Sequence, residues 1–202
     1  MKNKDIFINV LDEMTLNNAF EQTDGQVAPY FEYLKTYGKH VGDQDGLEIW
    51  AVDLPDNDIL FGIKQNDIII TICTFNKQES KLWILKLVHS LKQFRGTKHA
   101  HKILWFIKNQ EHVSILDYGV QTTDGMRFYK SVAATGRFKM SWHNIKTGEN
   151  IPYDVASDNK NNIPYRNNIQ PTDWRILIEG DSNIAFDRYD RNLVKGLWRV
   201  FE

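Results

Sequence analysis

A short basic turn contains the residue types best suited to a chemical role in this sequence. Arg95-Gly96-Thr97-Lys98 follows an apolar run, Leu82–Val88, and leads into a segment with helical periodicity. The first amides of a helix attract anionic groups, and cationic side chains beside them strengthen that attraction. The order of strand, glycine-containing basic turn and helix therefore indicates a site for a pyrophosphate or a similar phosphate-bearing ligand.

The charge distribution favours a small ligand over a long nucleic acid. The chain has 202 residues and a net charge of −1, yet the segment from Lys81 to Lys108 contains seven Lys or Arg residues and no Asp or Glu. A local positive patch on a nearly neutral protein suits a phosphate-bearing ligand. A nucleic-acid binder that uses Trp83, Phe94 and Trp105 is an alternative, but both tryptophans lie in apolar elements that fit a core better.

The elements that must position this turn are predicted from hydrophobic periodicity. A helix is expected around Val27–Tyr37, ending at Gly38 or Gly42, with Pro29 in its first turn. Apolar runs separated by turn residues predict strands at Leu47–Leu54, Ile59–Lys64, Ile68–Phe75 and Leu82–Val88. After the turn, one helical stripe contains Ala100, Ile103, Leu104 and Ile107, with Lys98, His101, Lys102 and Lys108 mostly off it.

Further elements are predicted at both ends of the chain. Downstream, Val113–Val120 is expected to form a strand, and the next helix, capped by Thr123 or Asp124, buries Met126, Tyr129 and Val132. The remaining predicted elements are strands at Ile6–Val10, Phe138–Ile145 and Trp174–Ile178, an ordered loop or edge strand at Asn150–Tyr153, and helices at Thr15–Gln22 and Phe186–Phe201.

These elements predict a mixed α/β fold, in which a twisted, mainly antiparallel sheet has helices on both faces. The strands on either side of the basic turn and its helix should be parallel neighbours, because such crossovers are usually right-handed units within one sheet. One domain is expected over residues 1–149. Residues 150–202 would form an extension, comprising a loop, a strand and an amphipathic helix, that packs on the same domain or pairs with a second copy.

The ordered set of elements resembles the central half of the Gcn5-related N-acetyltransferase (GNAT) superfamily. The pyrophosphate loop of that family reads Gln/Arg-x-x-Gly-x-Gly/Ala, and the segment from Arg95 to Ala100 matches its first and last positions, with Lys98 in place of the middle glycine. A later signature, Asn-x-x-Ala-x-x-Phe-Tyr, is matched at Phe128-Tyr129, with Thr122 and Gly125 at the earlier positions.

The resemblance implies an acyl-CoA-dependent N-acyltransferase that uses acetyl-CoA and an amine acceptor of unknown identity. In such a protein, backbone groups of the strand before the loop hold the pantetheine arm, and a tyrosine protonates the departing thiolate, as Tyr129 would here. Glu48 and His89 are candidate bases by position. The implied coenzyme-binding residues are Leu87, Val88, His89, Arg95, Gly96, Thr97, Lys98, His99 and Ala100.

A catalytically degenerate acetyltransferase-like protein, serving in binding or structure, is the main alternative. Lys98 replaces the loop glycine, and Ala133-Ala134 stands where the family has Gly-Phe. The segment Gly125–Lys130 resembles segments of degenerate members of the superfamily that are found in virions of short-tailed bacteriophages. The sequence therefore predicts a cytoplasmic protein, with a virion component as the alternative.

No structural metal site is expected. On a helix His99 and His101 point about 200° apart, so they cannot bind one ion together, and no Cys or carboxylate completes a set. The single cysteine, Cys73, lies in an apolar run and is predicted to pack in the core. The sequence predicts no signal peptide and no membrane span.

Overall fold

The computed structural model describes residues 24–79, 81–118, 123–155 and 173–180. These residues belong to two compact units, which divide between Tyr118 and Gly119. The predictions for Ile6–Val10, Thr15–Gln22 and Phe186–Phe201 lie outside the described residues.

The first unit contains a sheet with one parallel pair. Strands β1 to β5 are antiparallel neighbours in chain order, and β6 lies beside β5 in a parallel direction. The mainly antiparallel mixed sheet and the predicted parallel neighbours are thus confirmed. In chain order the elements are α1 (Asp24–Tyr37), β1 (Lys39–Gln44), β2 (Leu47–Asp53), β3 (Asp58–Gln65), β4 (Ile68–Glu79), β5 (Leu82–Ser90), a 3-10 turn (Lys92–Phe94), α2 (His99–Glu111) and β6 (Ser114–Asp117).

Helices cover both faces of this sheet, as predicted. Residues of α1 form one buried cluster with Leu60 and Ile72, which define the α1 face. Gly42 lies opposite Ile49 in the β1–β2 ladder, and a Cβ placed on Gly42 would meet the ring of Phe106 in α2. Side chains alternate between the two faces along a strand, and Ile49 lies on the face opposite to that of Leu60 and Ile72. Helix α2 therefore covers this second face of the sheet, the α2 face.

Aromatic packing forms the core on the α2 face. The rings of Phe61, Phe75 and Trp83 lie about 6 Å apart, at centroid distances of 5.9, 6.1 and 6.1 Å. Each buried ring of this size contributes about 1.5–3 kcal/mol to folding. Cys73 is fully buried in this layer, so its predicted packing role is confirmed, and burial raises the pKa of its thiol.

The structure differs from the sequence predictions at three places in this unit. Strand β1 has no counterpart among the predicted elements, because its mostly exposed side chains leave little periodic signal. Helix α1 begins at Asp24, so Pro29 lies in its second turn and removes one helical hydrogen bond. His101, expected off the apolar stripe of α2, is only 8% exposed, because the covered surface of this helix is wider than that stripe.

The second unit contains α3 (Thr123–Ala133) and three antiparallel strands, with β7 (Met140–Asn144) between β8 (Asn150–Pro152) and β9 (Trp174–Ile178). The strand predicted at Trp174–Ile178 is confirmed with the same bounds, and the segment expected as a loop or edge strand is β8. Residues before and after position 150 thus share one sheet, while the proposed boundary at 149 stays a prediction.

The predicted cap of α3 is wrong in detail. The helix begins at Thr123 and already includes Asp124, which therefore lies in the first turn. There its carboxylate pairs with Arg127 at 3.0 Å. An acidic residue in a first turn favours the helix through its dipole.

Gly62 in β3 provides a test of the packing between the sheet and α1. A Cβ at this position would lie 2.4 Å from Cδ2 of Leu34 and 3.0 Å from the carbonyl oxygen of Thr71. Gly62→Ala should lower the free energy of unfolding by about 1–3 kcal/mol, because the added methyl overpacks a closed interface. Urea denaturation measures this loss. In a Leu34→Ala background the loss should shrink, and strict additivity of the two changes would contradict the proposed contact.

Candidate functional site

A β-bulge in β5 lies where its parallel partner ends. Thr74 of β4 is opposite Leu87 and Phe75 is opposite Leu85, so Lys86 is the additional residue. The parallel pairing with β6 runs from Leu82 to Leu85 and is closed by a hydrogen bond from the Tyr118 amide to the Leu85 carbonyl at 3.2 Å. In the part of the chain that the structure describes, Lys86–Ser90 pairs with β4 alone.

The bulge determines which backbone groups of β5 point to the edge where β6 no longer pairs with it, beyond Leu85. The amide of Leu91 donates to Ile70 of β4 at 3.0 Å. By the alternation of an antiparallel ladder, the amides and carbonyls of Leu87 and His89 also point towards β4. Those of Val88 and Ser90 then point to the edge at which the described residues place no neighbouring strand, which we call the open edge, and the Ser90 carbonyl accepts a hydrogen bond from Nε of Arg95 at 3.2 Å.

The basic turn after β5 is held by its own polar side chains. The Thr97 hydroxyl donates to the Phe94 carbonyl at 2.5 Å, so it accepts from Nδ1 of His99 at 2.9 Å. This pattern requires a proton on Nδ1 of His99. The hydrogen bond from Arg95 to Ser90 draws the turn back to the end of β5, so strand, turn and helix start form one continuous surface.

Lys98 has the backbone conformation that its position in the turn demands. Its φ is 62° and its ψ is 21°, in the left-handed region, and it precedes the first residue of α2. Gly96 also has a positive φ, of 79°. A non-glycine residue in this region carries backbone strain of about 1 kcal/mol or more. Lysine therefore occupies a position whose backbone conformation glycine adopts without steric cost.

The first turn of α2 is electropositive. It has no side-chain cap and no acidic residue, and Arg95 and Lys98 are exposed beside it. Burial, with a smaller effect of Lys98, lowers the pKa of His101 to about 4, so this imidazole is neutral at pH 7. Burial also lowers the pKa of His99. The positive charge at the helix start therefore comes from Arg95, Lys98 and Lys102, and not from the histidines.

The other candidates on the sheet lie on the α1 face. His89 is buried and presents its ring edge-on to Phe31, with centroids 6.2 Å apart. Leu87 packs against the cluster that α1 forms. Glu48 is an exposed carboxylate that accepts a hydrogen bond from Nε1 of Trp50 at 2.8 Å.

Tyr129 belongs to the second unit. It is 6% exposed in α3, and its ring meets that of Phe128 edge-on at 5.2 Å. Val132, one turn further along, is fully buried as predicted, whereas Met126, also predicted to be buried, is only half-buried. The catalytic role of Tyr129 stays a prediction.

Sequence reasoning missed a buried polar cluster beside the bulge. Nζ of Lys86 lies 2.7 Å from Oδ2 of Asp58, and Nδ2 of Asn76 donates to Oδ1 of Asp58 at 2.6 Å. The sequence contains a signal for this cluster, because Lys86 interrupts an otherwise apolar run. A lysine inside a buried strand needs a polar or charged partner.

Two general findings apply to the described residues only. No group of three or more His, Cys, Asp or Glu side chains in those ranges is arranged to hold a metal ion. No helix within them has both the length and the apolar character needed to cross a membrane.

Comparisons with known proteins give structural likenesses alone. No protein-family model matches the sequence, and no curated protein sequence matches it. The solved structures that resemble it include a GNAT family acetyltransferase from Elizabethkingia anophelis with acetyl-CoA bound, at 16% identity, with a TM-score of 0.35 and coverage of 60% of this chain and 74% of that one.

Two more solved structures resemble the chain. A putative GNAT family acetyltransferase from Bacteroides thetaiotaomicron has 10% identity, a TM-score of 0.38 and coverage of 73% of this chain and 72% of that one. The Bacillus subtilis N-acetyltransferase YlbP, in complex with coenzyme A, has 12% identity, a TM-score of 0.35 and coverage of 82% and 88%. Likeness at this level assigns neither a ligand nor a reaction.

The left-handed conformation of Lys98 gives a stability prediction. Lys98→Gly should raise the free energy of unfolding by about 1 kcal/mol, because glycine adopts this conformation without steric cost. Chemical denaturation measures the gain. Lys98→Ala is the matched control, since it removes the same charge and keeps the Cβ. Equal stability changes in both variants would show that charge, and not backbone strain, is the cause.

The neutral state of His101 gives a pH prediction. The unfolded chain takes up a proton near pH 6.5, whereas the folded imidazole, with a pKa of about 4, does not. The stability present above pH 6.5 should therefore fall as the pH is lowered towards 4, by up to about 3 kcal/mol. Urea unfolding of the parent and of His101→Gln across this range measures the difference. Parallel pH profiles of the two proteins would rule out a neutral, buried His101.

Proposed function

We propose that this protein is an acyl-CoA-dependent N-acyltransferase with acetyl-CoA as co-substrate. One observation carries the proposal: beyond Leu85, β5 leaves its parallel partner and leads through a basic turn into the uncapped start of α2. An elongated ligand with phosphates at one end and an amide-containing arm at the other fits this sequence of an electropositive helix start and an open strand edge.

The phosphate end would be held by the turn. Arg95 and Lys98 supply charge, and the amides of Gly96, Lys98, His99 and Ala100 supply directed hydrogen bonds, while the Thr97 amide already donates to the Phe94 carbonyl at 3.4 Å. The Lys98 side chain is exposed, so lysine at this position does not by itself close the site. Among the described residues, none provides a capping side chain that a phosphate would have to displace.

The arm would follow β5. Of the three strand residues proposed to contribute, Val88 directs its amide and carbonyl to the open edge, and both groups can pair with amides of a pantetheine arm. Leu87 and His89 serve differently, because their backbone groups point to β4. Their side chains on the α1 face keep the strand in place through contacts such as that of His89 with Phe31.

Acyl transfer to an amine needs one proton removed from the amine and one delivered to the leaving thiolate. The Tyr129 hydroxyl is the proposed proton donor, because the pKa of a phenol, about 10, is close to that of a thiol. Glu48 and His89 are the proposed acceptors of the amine proton. The acceptor molecule is an amine of undetermined class.

A degenerate binding or structural protein is the second candidate, and Lys98 favours it. Lysine stands where the resembled family has the loop glycine that lets backbone amides approach a phosphate closely. This candidate, which includes a virion component, predicts that neither acetyl-CoA nor free coenzyme A stabilises the folded chain.

Ligand-induced stabilisation and charge reversal test the proposal together. Acetyl-CoA at about 100 times its Kd should add about 2.7 kcal/mol to stability, seen as a rise in Tm. Arg95→Glu with Lys98→Glu should weaken this binding by about tenfold or more, which corresponds to about 1.4 kcal/mol. Tyr129→Phe should leave binding intact and lower kcat, because it removes an interaction made in the transition state.

Lys35→Glu with Lys39→Glu is the matched control for the charge reversal. Both lysines are exposed and lie on α1 and β1, and the change in net charge is the same. Equal losses of binding in the two double variants would indicate a nonspecific charge effect. No stabilisation of the parent protein by any coenzyme A species would favour the degenerate candidate.

A further inference from the structure

A partly buried ion pair lies at the bulge and has no role in the proposed chemistry. Lys86 and Asp58 have side chains 19% and 9% exposed, and their charged atoms are 2.7 Å apart. A buried pair of this kind contributes little net stability compared with apolar packing, because desolvation offsets the attraction. We therefore expect the pair to fix the local geometry of β5 rather than to stabilise the fold.

Asp58 is a fixed anchor for this pair. It closes the turn between β2 and β3, where its amide donates to Pro55 at 3.0 Å and its carbonyl accepts from Leu54 at 2.8 Å. Asn76, opposite it in β4, donates to its Oδ1 and also to the carbonyl of Asp56 at 2.7 Å. Both carboxylate oxygens are therefore engaged, and the carboxylate is held on the α1 face.

The ion pair thereby determines the direction of the bulge residue. Asp58 lies on the α1 face, so the Lys86 side chain must lie there too, and Leu87, the next residue, packs against the α1 cluster. Two consecutive side chains on one face are the mark of a bulge, since a regular strand alternates. The additional residue reverses the alternation beyond it, which places the backbone groups of Val88 at the open edge.

We propose that the Lys86–Asp58 ion pair is a positioning device that sets the bulge of β5 and so presents the Val88 backbone to the arm of the acyl-CoA. This inference rests on the proposed function for the identity of the ligand. Lys86 and Asp58 act through the strand and do not themselves touch the reacting atoms. Loss of the pair should affect the arm of the ligand and spare its phosphate end.

Two ligands that differ in the arm separate these effects. Acetyl-CoA contains the phosphates and the pantetheine arm, whereas adenosine 3′,5′-bisphosphate contains phosphates without the arm. Lys86→Met with Asp58→Asn removes both charges, so neither is left buried alone. Calorimetry should show about tenfold or more weaker binding of acetyl-CoA and about equal binding of the bisphosphate, relative to the parent protein.

Two further variants complete the design. Lys86→Arg keeps the pair and should retain acetyl-CoA affinity. Lys64→Met with Asp67→Asn is the control, since it removes another lysine–aspartate pair, 2.9 Å apart, that joins β3 to the turn before β4 and lies away from the β5 bulge. It should leave both affinities unchanged. Equal weakening of both ligands in the Lys86/Asp58 variant, or no weakening of either, would overturn the inference.

Hydrogen exchange tests the device without any ligand. In the parent protein the Val88 amide should exchange faster than those of Leu87 and His89, which bond to β4, and the Lys86/Asp58 variant should lose this contrast. An unchanged contrast overturns the inference. Asp58→Glu, which lengthens the anchor by one methylene, replaces the double variant if the latter does not fold. A parent protein that binds neither ligand but shows the contrast would refute the proposed function and leave the positioning role intact.

Discussion

One additional residue in β5 is the constraint on which the rest of the first unit depends. Before Lys86, odd-numbered residues of the strand direct their backbone groups to β6, and beyond it even-numbered residues take that side. If the same residues ran as a regular strand without the bulge, His89 would face α2 and lose its contact with Phe31. The same residue therefore governs the packing under α1 and the polarity of the open edge, so neither can change alone.

The sequence predicts the elements well because most have strong periodicity. The apolar run before the basic turn predicts a strand, the crossover rule predicts its parallel neighbour, and both are found. The bulge is not predictable in the same way, because one residue of register leaves no compositional trace beyond a lysine in an apolar run. Strand β1 is not predicted from the sequence for a related reason, because its side chains are mostly exposed and Gly42 suggests a turn.

The candidate site is predictable in part. The residues of the basic turn are adjacent in sequence, so a motif finds them, and the structure adds the left-handed backbone at Lys98. Long-range pairs such as Lys86 and Asp58 are separated along the chain and join only when β3, β4 and β5 form a sheet. Their chemistry depends on tertiary structure, which residue patterns do not contain.

Cys73 has a consequence for how opening of this protein can be observed. It is the single cysteine of the chain, and its thiol is wholly buried in the sheet, with burial raising its pKa. A thiol in that state is neither accessible nor nucleophilic, so alkylating reagents react with it only when β4 is exposed. The alkylation rate of the native protein thus reports how often this sheet opens.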